Sequence, residues 1–186
     1  MSKKKRKAQR KRRQRRRLGL KRQPIDLLNA SLGEFLTASG ELEFKMIRFA
    51  DLISEAGIER IFADLSGPFG PKIVAFKDWC NLSGVSNTKK PILQSVYSGL
   101  DKLLPKRNLL VHGETWQGKI KGRPPQPYRV GIIKKELDYI DAFERGEHAE
   151  NVFSIEQIRE VTKQCRTIIA DLDMLLDIGS PGRASA

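Results

Sequence analysis

Three side chains in the run Lys106-Arg107-Asn108-Leu109-Leu110-Val111-His112-Gly113 have the types and spacing to break a phosphodiester: Arg107, Asn108 and His112. Cleavage of RNA by its own 2′-hydroxyl needs a base for the hydroxyl proton, an acid for the leaving 5′-oxygen, and positive charge on the pentacoordinate phosphate. Histidine titrates near neutrality and serves in either direction, while arginine stays charged and presents a fork of donors that fits phosphate oxygens. Asn108 could orient His112 or donate to the phosphate. On a helix, at about 100° per residue, Asn108 and His112 lie ~40° apart on one face, but Arg107 and His112 lie ~140° apart with a rise of ~7.5 Å. Arg107 must then reach around, and one imidazole per chain is too few for separate acid and base roles. A two-fold dimer resolves the shortage.

The elements that must hold these residues read as helices. Pro24 opens the folded part, and apolar residues recur at helical spacing from Ile25 through Leu28, Leu32, Phe35 and Leu36. A second helix is predicted over about 41–56, with Leu42, Met46, Phe49 and Ile53 on one stripe and Gly57 placed to end it. The breaker cluster Ser66-Gly67-Pro68-Phe69-Gly70-Pro71 reads as a loop, followed by a short helix from Ile73 to Trp79. Ile92, Leu93, Val96, Tyr97, Leu100, Leu103 and Leu104 mark a further helix, which Pro105 either kinks or replaces with a new one. The Gly-, Pro- and Lys-rich stretch from Gly118 to Gln126, with alternation at Tyr128, Val130 and Ile132, predicts a loop or a small β-hairpin near 118–132. A helix around 134–144 follows. In the last helix Ser154 and Gln157 form a capping box, Phe153 and Ile158 a staple, and Ile155, Ile158, Val161, Ile168, Leu172 and Leu175 the buried stripe, with Gly179 and Pro181 ending it. The fold class is all-α: one helical bundle over 23–178, a basic tail over 1–22 and a disordered end over 179–186.

The formal charge of +13 belongs to the tail, since residues 1–22 hold 14 Lys/Arg and no acid, leaving 21 basic and 22 acidic residues elsewhere. Lys3, Lys4, Lys5, Arg6, Lys7, Arg10, Lys11, Arg12, Arg13, Arg15, Arg16 and Arg17 form a self-repelling run without apolar interleaving, expected to be disordered in isolation. Three partners suit that charge: a nucleic-acid backbone, a receptor for a nuclear address, or an anionic lipid surface. Nucleic acid is favoured, because an amphipathic membrane helix needs apolar residues that the tail lacks. Cys80 and Cys165 lack the second pair or the nearby histidines of a zinc site, so neither metal nor disulfide framework is indicated. No apolar run approaches the roughly 18 residues of a membrane span, and no apolar stretch follows the N-terminal charge to make a signal peptide. The expected setting is the cytoplasm, or the nucleus in a eukaryote.

The run from Lys106 to Gly113 resembles the Arg-X(4–6)-His signature of the HEPN superfamily, small α-helical domains many of which are metal-independent endoribonucleases. Arg107 and His112 match its two defining positions, and Asn108 the polar residue that often follows the arginine. The all-helical surroundings, the His112-Gly113 pair and the following Trp116 agree with the family over about 25–178. The resemblance implies an RNA endonuclease without cofactors, in which two protomers bring their signatures together across a two-fold axis. A homodimer, a toxin or defence role and an antitoxin partner follow from it. Many domains of this kind turn nothing over, so a nucleic-acid-binding or protein-interaction module is the other expectation. From the residues themselves, His112 could simply end a helix, and Arg107 could pair with Glu114, Glu43 or Asp51. Trp79 and Trp116 could stack bases or anchor a core. His148, in a polar stretch, has no partner spacing for metal or catalysis.

Overall fold

The computed structural model describes residues 24–83, 85, 87, 89–117, 120–131, 145–146 and 149–179. The basic tail, the helix expected around 134–144, His148 and the segment after 179 lie outside the described residues. Five helices and a three-stranded antiparallel sheet are described: α1 (Pro24–Ile53), α2 (Ile58–Asp64), α3 (Phe69–Leu82), α4 (Lys90–His112), β1 (Glu114–Trp116), β2 (Tyr128–Val130), β3 (Val152–Phe153) and α5 (Ile155–Gly179). The helical bundle with a small β element is the fold class that the sequence predicts.

α5 is amphipathic and packs along both α1 and α4. Its stripe of Ile155, Ile158, Val161, Cys165, Ile168, Leu172 and Leu175 is buried against Leu28, Phe35, Leu42, Met46 and Phe49 of α1 and Val96, Leu100, Leu103 and Leu110 of α4. Each such side chain contributes about 1.5–3 kcal/mol. The capping box forms in both directions, with Ser154 N–H donating to Gln157 Oε1 at 2.9 Å and Gln157 N–H to Ser154 Oγ at 3.3 Å. Lys45 of α1 pairs with Asp173 of α5. Among the described residues no helix is long and apolar enough to cross a membrane.

Several boundaries differ from the sequence reading. The two helices expected at 25–36 and 41–56 are one, because Phe35, Ala38, Leu42 and Met46 keep the helical period through the segment that looked like a break. That helix stops at Ile53, and Gly57, at φ +83°, precedes the short α2 that the sequence reading missed. α3 begins inside the breaker cluster, with Pro68 at its cap and Phe69 buried. α4 continues through Pro105. The first strand of the sheet lies at 114–116, directly after the signature, and residues 117–127 connect it to β2. The third strand is two residues long and pairs Phe153 with Arg129 and Val152 with Val130.

Cys80 and Cys165 are free and buried, and burial pushes their thiols up to about 12 and about 11 respectively. At neutral pH both are protonated and packed, which makes them poor nucleophiles.

Candidate functional site

Arg107, Asn108 and His112 occupy the last two turns of α4, and they face different surroundings. Asn108 and His112 are exposed. Neither side chain makes a hydrogen bond or ion pair with a described residue. Their spacing puts them on one solvent-facing side of the helix.

Arg107 turns the other way, into the junction of α1, α3 and α4. Its Nη2 donates to Glu43 Oε1 at 3.2 Å, and Lys72 pairs with the same carboxylate. The guanidinium lies over the Phe69 ring, 4.9 Å from its centroid, where a cation meets the negative face of the π system. The side chains of Arg107, Glu43 and Lys72 are only 17%, 18% and 16% exposed. Two cations on one carboxylate leave a unit of positive charge in a site largely shielded from water, where its field is screened less than at an open surface. Arg107 Nε is buried and has no hydrogen-bond partner among the described residues. A buried donor left in that state costs about 1–3 kcal/mol. Of the acids that Arg107 might have met, Glu43 holds it. Glu114 and Asp51 are exposed.

The three residues therefore share a helix end with no hydrogen bond or ion pair among their side chains. What braces that end is the sheet. Gly113 is extended, and a Cβ on it would stand 2.5 Å from the Val130 carbonyl oxygen and 2.6 Å from that of Leu109. Only glycine lets β2 approach the end of α4 so closely. A Cβ on Gly131 would collide with the Leu109 side chain, so the same contact is tight from the other side. Arg129, between buried Tyr128 and Val130, donates from Nε to the Leu110 carbonyl at 2.9 Å and from Nη2 to the Val111 carbonyl at 3.2 Å.

Phe69, Lys72, Arg129 and Gly131 were not among the expected site residues. The sequence carries one hint of Arg129, as the polar member of an alternating Tyr-Arg-Val strand. Phe69 and Lys72 reach the site only through the packing of α3, which no local pattern reveals. Trp79 is half-buried at the edge of the core beneath Arg60, 5.7 Å from its ring centroid. Trp116 packs on the small cluster of Ile120, Tyr128, Val130 and Val152. Both positions are those of anchors in packed clusters. Among the described residues no three His, Cys, Asp or Glu side chains gather to hold an ion. The twelve basic residues expected to bind nucleic acid lie in the tail, outside the described residues.

No family model, no curated protein and no solved structure matches this chain.

Proposed function

We propose that this chain is an endoribonuclease of HEPN type, cutting RNA without a metal as a homodimer. The observation that carries the reading is the exposed Asn108–His112 face at the braced end of α4, with Arg107 fixed in the same two turns. His112 is the acid/base group. One imidazole takes the proton of the 2′-hydroxyl as that oxygen attacks phosphorus. A second, from the partner protomer, protonates the 5′-oxygen as the P–O bond breaks, leaving a 2′,3′-cyclic phosphate and a free 5′-hydroxyl. Asn108 donates to the phosphate or orients the imidazole. Arg107, oriented by Glu43 with Lys72 beside it, supplies positive charge, its long side chain reaching toward the phosphate when RNA binds. The tail adds affinity for the RNA backbone by releasing counterions. A toxin or defence role with an antitoxin partner is the cellular context that the resemblance suggests.

The test is cleavage of labelled RNA by the full chain in EDTA. Wild type is expected to cleave and His112→Ala to be inactive with unchanged far-UV circular dichroism; cleavage that survives the substitution overturns the assignment.

A second reading is favoured by one observation, the commitment of Arg107 to Glu43 and Phe69 on the side away from His112. Here the chain is a non-catalytic nucleic-acid-binding or interaction module that relies on its tail. It predicts RNA binding with a steep salt dependence, lost on deleting residues 1–22, and no cleavage product at any pH.

A further inference from the structure

A helix leaves its last carbonyls without intrahelical partners, and many helices satisfy them with a left-handed glycine. α4 does not, because Gly113 is extended, with φ −75° and ψ 176°. The carbonyls of Leu110 and Val111 are taken instead by Arg129, which reaches them from another element 19 and 18 residues later in the chain. The Val111 carbonyl belongs to the peptide that ends at the His112 nitrogen. A guanidinium bonded there fixes the plane from which the His112 side chain leaves the helix.

Arg129 is itself held on both sides. It sits in the central strand, opposite Thr115 of β1 and Phe153 of β3, and its neighbours Tyr128 and Val130 are buried. Burial draws its pKa below the usual arginine value, a shift that the nearby Glu114 carboxylate partly offsets. A cation removed from water in this way needs return in kind, which the negative end of the helix dipole and two aligned carbonyls provide. The strand, the arginine and the two close glycine contacts make one brace, and it ends at an exposed imidazole.

We propose that Arg129 is a positioning residue for His112, and that the three-stranded sheet serves to hold the signature helix end in its working orientation. The catalytic consequence rests on the ribonuclease reading, whereas the positioning itself does not. The described hydrogen bonds of the Arg129 side chain go to main chain only, so it acts on His112 through the helix end.

The experiment uses the full chain with Arg129→Ala and Arg129→Lys, read in two ways. The first is the His112 ring resonance at fixed pH, assigned by its loss in His112→Ala. The second is kcat and KM for RNA cleavage. In Arg129→Ala the His112 signal is expected to shift from its wild-type position as the helix end loosens, while far-UV circular dichroism stays helical. kcat is expected to fall on the order of 10²-fold, the cost of an angstrom-scale misplacement, with KM changed by less than about twofold. Lysine, with one donor head in place of a fork, restores part of the loss. An unchanged His112 signal in a folded Arg129→Ala, or a loss that falls on KM alone, overturns the proposal. Should the alanine variant fail to fold, Arg129→Lys is read by the same two outcomes. Absence of cleavage by wild type would remove the ribonuclease reading, and the resonance comparison would still decide the role of Arg129.

Discussion

Arg107 and His112 lie five residues apart on one helix, yet one is built into the bundle and the other stands outside it. Arg107, on α4, is held by contacts from two other helices: a carboxylate from α1, shared with Lys72, and an aromatic face from α3. His112 has no described side-chain partner, and the Val111 carbonyl before it is held by Arg129 of the sheet. The difference teaches that the two halves of the signature are stabilised by independent devices. One is electrostatic and interior, the other steric and main-chain. Substitutions on the two sides should therefore separate stability from activity.

The largest effect is expected on the interior side. Glu43→Ala leaves Lys72 and Arg107 facing one another, both mostly out of water, with no anion between them. Breaking a buried pair by removing one partner costs about 3–5 kcal/mol, and the sixth of each side chain still in water puts this cluster near the lower end. Urea unfolding with an unchanged m-value should show a loss of about 3 kcal/mol. A loss under about 1 kcal/mol would mean that the ion pair behaves as a surface contact and that the contrast with His112 is false.

Gly113→Ala comes next and tests the other device. Its Cβ would meet two backbone oxygens, which have no rotamer to escape through, so either β2 or the end of α4 must move. Overpacking of this sort costs typically about 1–3 kcal/mol. The displacement should fall on the sheet side, seen as lost amide protection in β1 and β2 while the α1–α5 core keeps its own. A stability change within about 0.5 kcal/mol, with protection intact, would show that the sheet does not press on the helix end.

The same division explains what could be read from the residues. α5 was legible in detail, since its cap, its stripe and its terminal glycine are all local signals: Ser154 and Gln157 bond each other, and every residue of the expected stripe is buried. α1 was legible in content and misread in continuity. Gly33 and Gly40 lie inside it, and the cost of about 1 kcal/mol for each is outweighed by the buried stripe that runs through both. The third strand was invisible because two residues carry no period, and its pairing depends on a strand more than twenty positions earlier. Within the candidate site, the chance of a Glu43 partner for Arg107 was legible, as was the shared face of Asn108 and His112 on the helix. Phe69, Lys72 and Arg129 were not, because they meet this helix end only through long-range packing and two hydrogen bonds to main chain.

The smallest expected effect is on the exposed side. His112→Ala removes an exposed side chain that forms no hydrogen bond or ion pair with a described residue, at a helix end already capped by Arg129. Substitutions at such positions usually change stability by no more than about 0.5 kcal/mol. The unfolding midpoint should therefore stay near that of wild type, in contrast to Glu43→Ala, while any RNA cleavage disappears. This pairing of results would place His112 at the reaction and Glu43 in the scaffold. A large loss of stability in His112→Ala would reverse that conclusion, because it would show the imidazole to be a structural part of the helix end.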